Sequence, residues 1–213
     1  MVTTRTSTPP TNRRRTISVR GYDYTQGGAY FITICTRDRE CFLGKVVNGM
    51  VQLNETGRLV ESVWLQTATV RPEIELDAYV VMPNHFHAIF FIHESPGVPG
   101  ATRRVAPTKN HSASAGKPCR PAGPKPKSVG AIIGQFKSLV TKRINLTQQH
   151  LDGFVWQRNY YEHVIRDEES LNRIREYIAT NAPRWDLDRE NLQAAGKDAF
   201  DDWLATFKSS PEN

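Results

Sequence analysis

Two histidines stand one residue apart in the run VVMPNHFHAIFFI, residues 80–92. Alternate side chains of a strand share a face, so His85 and His87 point one way and Phe86 and Ala88 the other. At about 3.3 Å per residue their backbones are roughly 7 Å apart, close enough for two imidazoles to converge on one ion. The pair begins just after Pro83-Asn84, where a strand starts and solvent can reach it. Two histidines do not complete a metal site, because a third ligand is needed. Taken alone, histidines on an apolar strand are more often hydrogen-bonded core residues than metal ligands. A second pair lies far along the chain. Tyr177 and Asn181 are four residues apart, which on a helix puts both on one face about 6 Å apart along the axis. An asparagine oxygen suits a hard divalent cation such as Mg²⁺ or Mn²⁺, and Tyr177 would stand beside it. The alternative is that Tyr177 rims the apolar stripe Leu171, Ile174 and Ile178.

The elements that must hold these residues follow from hydrophobic periodicity. Ala29–Thr36 reads as a strand, and Cys41–Leu53 as a hairpin turning at Asn48-Gly49. Leu59, Val60, Val63, Trp64 and Thr67 recur at helical spacing over about 55–70. Ile74, Leu76, Ala78 and Val80 alternate with polar neighbours as a half-buried strand, and His85–Ile92 resumes it after the Pro-Asn break. Val129, Ile132, Ile133, Phe136, Leu139 and Val140 predict a helix over about 128–145. The stretch GFVWQRNYYEHVIR reads as irregular. A third helix at about 168–181 has Asp167 as N-cap, Glu168 and Glu169 in its first turn, and Pro183 past its end. Phe200, Trp203, Leu204 and Phe207 mark a last amphipathic piece. Strands and helices interleave as an α+β sandwich of ferredoxin-like (RRM-like) order, an antiparallel sheet with helices mainly on one face.

Charge separates folded from unfolded parts. The chain carries 28 Lys and Arg against 22 Asp and Glu, a net +6. Residues 1–22 hold five arginines and residues 95–127 seven basic residues, with no acid in either. The remaining 16 basic residues face all 22 acids, so the folded remainder is mildly acidic. We expect a disordered basic arm at 1–20, a domain over 21–185 with a flexible basic linker inserted at 94–127, and a helical extension at 186–213. Basic segments of this kind favour a polyanion, most often nucleic acid. Three scattered cysteines, Cys35, Cys41 and Cys119, argue against a disulfide framework or cysteine zinc site. No apolar run is long enough for a membrane span, and the first residues lack a signal peptide's apolar core, so a cytoplasmic protein is expected.

Four blocks in order, MPNHFH, IIGQFKS, WQRNYYEHVIRDEESL and YIATN, resemble the single-tyrosine HUH transposases, specifically the REP-associated tyrosine transposase branch. HUH denotes histidine, bulky hydrophobic residue, histidine; here it is His85-Phe86-His87. The resemblance covers about residues 17–185 without the insertion. It implies His85 and His87 as metal ligands, Tyr177 as nucleophile and Asn181 as third ligand, with Mg²⁺ or Mn²⁺ as the ion. This chain departs from the family in placing Ala182 between Asn181 and Pro183, and in its long basic linker.

The resemblance implies nicking and rejoining of single-stranded DNA beside hairpins of the REP type through a 5′-phosphotyrosine, by a monomer or a homodimer. Phosphate contacts are expected from Arg13, Arg14, Arg15, Lys137, Lys142, Arg143 and Arg158, and base stacking from Trp156, Tyr160 and Tyr161. Tyr160 and Tyr161 rank below Tyr177 as nucleophiles because no ligand-type residue follows either by one helical turn. Two other readings stay open: a DNA-binding module of the same fold with a dead site, and an unrelated small metal hydrolase built on the H-x-H pair.

Overall fold

The computed structural model describes residues 27–93, 124–147 and 155–209. The basic arm with Arg13, Arg14 and Arg15, and nearly all of the 94–127 insertion, lie outside the described residues. Six strands are present among the described residues, β1 (Gly28–Cys35), β2 (Gly44–Val47), β3 (Met50–Leu53), β4 (Ile74–Val81), β5 (His85–Ile92) and β6 (Tyr161–Ile165). Four helices accompany them, α1 (Glu55–Val70), α2 (Val129–Thr147), α3 (Glu168–Thr180) and α4 (Ala199–Ser209). No helix among the described residues is long and apolar enough to cross a membrane.

Local chemistry sets the element ends. Asn48 and Gly49 both take positive φ, 51° and 70°, as a two-residue hairpin turn between β2 and β3 requires. The Asn54 side chain caps α1 by accepting the Gly57 N–H at 3.0 Å, and Asp167 caps α3 by accepting the Ser170 N–H at 2.7 Å. Each such cap contributes about 1 kcal/mol.

The main sheet is antiparallel with strand order β4-β5-β1-β6. With α1 between β1 and β4, and α2 between β5 and β6, this is the expected β-α-β-β-α-β arrangement. The fourth strand falls inside the stretch read as irregular. In YEHVI two adjacent polar residues, Glu162 and His163, break the alternation that would have marked a strand, but pairing with β1 decides the outcome.

The helices divide between both faces and do not gather mainly on one. Helices α1 and α2 cover Tyr30, Ile32, Ile34, Phe86 and Phe90, with Trp64 edge-on to Phe86, Phe90 and Phe136 at 5.1, 5.8 and 5.4 Å. A buried aromatic of this kind contributes about 3–5 kcal/mol. Helices α3 and α4 cover Phe31, Ile89, Tyr161 and Ile165 on the other face. The physical reason is that β1 and β5 are apolar on both faces, so each face needs a cover. This second layer carries Tyr177 over the sheet face that bears the histidines.

Candidate active site

The site forms where β1 ends and β5 begins. The register pairs Thr33 with His87 and Cys35 with His85, so these four side chains share the face covered by α3. A tight turn sets the start of β5: the Met82 N–H donates to the His85 carbonyl at 2.8 Å. Thr36 grips the turn through its N–H and its hydroxyl, both donating to the Asn84 carbonyl at 2.9 Å. Both imidazoles are buried, 0% and 1% exposed, with ring centroids 4.5 Å apart. His87 stacks on Phe31 at 5.4 Å, and His85 on Trp185 at 6.0 Å.

Helix α3 brings the second pair to the first. The Tyr177 Oη lies 3.2 Å from His87 Nε2 and donates to Asp188 Oδ2 at 3.3 Å. Asn181 follows the last residue of α3 with helical φ and ψ of −63° and −43°. The inserted Ala182 therefore leaves Asn181 in register, one turn past Tyr177. Its Nδ2 donates to Asp188 Oδ2 at 2.8 Å.

Asp188 is the residue that sequence reasoning missed. His85, His87 and Asp188 offer ligand atoms within 4.8 Å of one another, all buried. Asp188 Oδ2 stands 3.7 Å from His85 Nε2. Asp186, Asp188 and Glu190 alternate after Pro183, which was the available signal, but acids in a polar stretch are ordinarily solvated. Here a turn folds two of them inward. The Glu190 N–H donates to Asp188 Oδ1 at 2.6 Å. Glu190, fully buried, is neutralised by Arg39 at 3.0 Å and Arg189 at 3.2 Å.

Three features fit this group to a cation. Asp188 is a buried carboxylate whose hydrogen-bond donors, Tyr177, Asn181 and the Glu190 amide, are all uncharged. Among the described residues, His85 Nε2 and Asn181 Oδ1 are buried and have no hydrogen-bond partner. Such orphaned atoms are costly unless something binds them. Burial also holds the His85 imidazole below the usual histidine range, against the opposing pull of Asp188 and Glu190, which favours the neutral form that could bind a metal. Two nitrogens and one or two oxygens are a donor set for a divalent metal ion.

The tyrosine is closed in. Its ring is 4% exposed and lies flat against Phe200 of α4 at 3.7 Å and 9°, with Phe31 edge-on at 6.4 Å. Burial, then the Asp188 charge, push its phenol well above the ordinary tyrosine value.

The expected DNA contacts divide. Lys142 and Arg158 are exposed. Arg143 donates to Gln66 of α1 at 2.8 Å. Lys137 commits its ammonium to the carbonyls of Gln157 and Arg158 at 2.6 and 3.1 Å, and burial pulls it down to about 8. Tyr160 is half-buried against the α1–α2 core. Tyr161 and Trp156 correct the expectation of base stacking: both are buried, Tyr161 between the sheet and α3 and Trp156 against Phe136 at 6.1 Å. Large aromatic rings at the sheet end stabilise more by burial than by waiting in water for a base.

Among known proteins, the chain is 36% identical over 179 residues to an uncharacterized Haemophilus influenzae protein, spanning 84% of this chain and 93% of that one. It is 27% identical over 161 residues to a second protein of that organism named "Putative REP-associated tyrosine transposase", covering 75% and 72% of the two chains. Its fold is similar to the solved structure of a REP-associated tyrosine transposase bound to a REP hairpin, with a TM-score of 0.52, 20% identity, and coverage of 79% and 74%. No family model matches the chain.

Proposed function

We propose that the chain is a REP-associated tyrosine transposase, as its likeness to the named relative and to the solved structure supports, and that it cuts and rejoins single-stranded DNA beside REP-type hairpins through Tyr177. The observation that supports this most directly is the meeting of Tyr177 Oη with His87 Nε2 at 3.2 Å, across the sheet–helix boundary and next to a buried carboxylate.

His85 Nε2, one His87 ring nitrogen and the Asp188 carboxylate would hold a divalent ion, with Asn181 Oδ1 as a further oxygen donor. Imidazole favours transition metals and carboxylate oxygen suits Mg²⁺ and Mn²⁺, so the mixed set points to Mn²⁺ ahead of Mg²⁺. When bound, the ion supplies Lewis-acid stabilisation of a phosphoryl oxygen and an oriented leaving group. The chain's own residues do the rest. Asp188 Oδ2 is placed to take the phenolic proton, which a buried tyrosine gives up reluctantly. The Oη then attacks phosphorus, the bond from phosphorus to the 3′ oxygen breaks, and that oxygen leaves as a 3′-OH with the proton that Asp188 took from the phenol. A 5′-phosphotyrosine keeps the phosphodiester's energy, so an incoming 3′-OH can reverse the step and join a new strand. Phe200 lies over the Tyr177 ring, so α4 must move aside before a phosphate can approach. Exposed Lys142 and Arg158 are candidates for phosphate contacts.

The test is a labelled single-stranded hairpin incubated with protein and Mn²⁺, then run on a denaturing gel. A covalent adduct that Tyr177→Phe abolishes is the expected result. Tight binding with no adduct from any strand would mean a binding module. Cleavage that survives Tyr177→Phe would mean a metal hydrolase.

A further inference from the structure

Asn84 sits in the turn before the histidine pair, is fully buried, and has every hydrogen-bonding group of its amide engaged. Its Nδ2 donates to the carbonyls of Arg39 at 3.1 Å and Glu190 at 2.8 Å. Its Oδ1 lies 2.8 Å from His85 Nδ1. The two backbone carbonyls can only accept, so the amide nitrogen must face them and the amide oxygen must face the imidazole. That oxygen can also only accept, so His85 Nδ1 carries the hydrogen. A neutral imidazole has a single N–H, which leaves a lone pair on Nε2. Nε2 is one of the buried side-chain atoms without a hydrogen-bond partner among the described residues, 3.7 Å from Asp188 Oδ2.

We infer that Asn84 is a positioning residue that locks His85 in the Nδ1–H form, aims its Nε2 lone pair at the Asp188 side, and ties this ligand to the turn that delivers Asp188. The inference rests on reading His85 as a metal ligand and adds what prepares it. A free histidine side chain favours the opposite form, with hydrogen on Nε2. A site that waits for a cation gains by having the wrong form excluded beforehand, since the hydrogen bond made by the other ring nitrogen sets which one can bind metal.

His87 shows the contrast. Its Nδ1 faces the Thr33 hydroxyl at 2.9 Å and its Nε2 faces the Tyr177 hydroxyl at 3.2 Å. The Thr33 hydroxyl can donate or accept, whereas the Tyr177 hydroxyl gives its hydrogen to Asp188 Oδ2 and so accepts from His87 Nε2. Turning these hydroxyls is what lets the His87 hydrogen move to Nδ1. His85 is therefore the preset ligand and His87 the adjustable one. The Glu190 carbonyl gives the lock a second consequence: the turn carrying Asp188 docks on the same amide that orients His85, so two ligands from opposite ends of the chain are assembled together.

The experiment uses the full chain, free of metal, with ¹⁵N-labelled histidine. Long-range proton–nitrogen correlation spectra distinguish the two ring forms, and His85→Gln identifies the His85 signals. The expected wild-type result is hydrogen on Nδ1 of His85. Asn84→Ala should return His85 toward the Nε2–H form and weaken Mn²⁺ binding, followed by the paramagnetic resonance of free Mn²⁺, by about 10–100-fold. Asn84→Asp keeps an acceptor for His85 but loses both donors, so it should retain the Nδ1–H form better than Asn84→Ala. Finding hydrogen on Nε2 in the wild-type protein overturns the inference without any variant. So does a folded Asn84→Ala protein with an unchanged ring form and Mn²⁺ affinity. A wild-type protein in the Nδ1–H form that binds no Mn²⁺ would uphold the lock and count against the metal reading. None of these readouts needs DNA or Tyr177, so they are independent of the adduct assay.

Discussion

Phe200→Ala isolates the consequence of burying Tyr177, the proposed nucleophile. Phe200 is 5% exposed, stacked on Tyr177 at 3.7 Å, and also touches Phe31 at 6.2 Å and Trp203 at 5.2 Å. Truncating such a side chain costs about 3–5 kcal/mol. The other anchors of α4 are buried Leu204, the Arg173 guanidinium over Trp203 at 4.6 Å, and the Arg189–Asp201 pair at 2.8 Å. Leu204 contributes about 1.5–3 kcal/mol, the cation–π contact about 0.5–1, and the ion pair about 0–1. These remaining anchors total a few kcal/mol, so α4 should stay docked on average but open locally more often, while the sheet and α1–α3 stay folded. Lowering the opening free energy by about 3 kcal/mol raises the open population roughly 10²-fold, at 1.4 kcal/mol per tenfold. Hydrogen exchange of the amides of residues 199–209 reads the opening, and the initial rate of covalent adduct on single-stranded hairpin DNA reads its effect. We expect both to rise, the adduct rate by up to ~10²-fold until another step limits it. Fast exchange in α4 with an unchanged or lower adduct rate would refute the reasoning. It would mean that the closed arrangement is already competent, or that Phe200 holds Tyr177 in place instead of hiding it.

Asp188→Asn keeps the shape of the side chain and removes its charge. Mn²⁺ affinity should fall by at least ~10-fold, since even outer residues of metal sites matter at that level, and an unchanged affinity would exclude Asp188 as a ligand. In the same metal-free variant the Tyr177 phenol should ionise at lower pH, because the Asp188 charge is the largest contribution after burial holding it up; ultraviolet titration against Tyr177→Phe checks this. His163 predicts an acid sensitivity away from the site. Burial, then Arg166, lower its value from 6.5 to about 4, so the unfolded chain binds more protons between those values, and stability falls as pH drops from 6.5 towards 4. The full shift is worth at most ~3 kcal/mol, and partial exposure reduces it to ~1–2. Melting temperature against pH should be flatter in His163→Gln; an equal slope would exclude this group as the cause.

The residues with the strongest local pattern were legible in the sequence. Helix α1 occupies the 55–70 window set by its apolar spacing, and the Asn48-Gly49 turn and the Asp167 cap fall where residue chemistry demands them. The His85–His87 pair on one strand face, and Tyr177 and Asn181 on one helix face, follow from periods of 2 and 3.6 that need no knowledge of the fold. Strand β6 was not legible, because Glu162 and His163 spoil its alternation and only the open edge of β1 makes it a strand. The placement of helices on both faces was decided by sheet assembly, which left a second apolar face to cover.

The site itself was half written in the chain. Residue type and spacing determined which side chains could bind a metal or attack a phosphate. The tertiary structure decided that Asp188 lies beside the two histidines, that Asn84 is hydrogen-bonded to His85, and that Phe200 lies over Tyr177. Each of these joins residues tens of positions apart or across a turn without regular period. Their burial costs free energy that only partners brought from elsewhere in the fold can offset. Such partnerships leave no period in the sequence, and they become visible only when the chain has closed on itself.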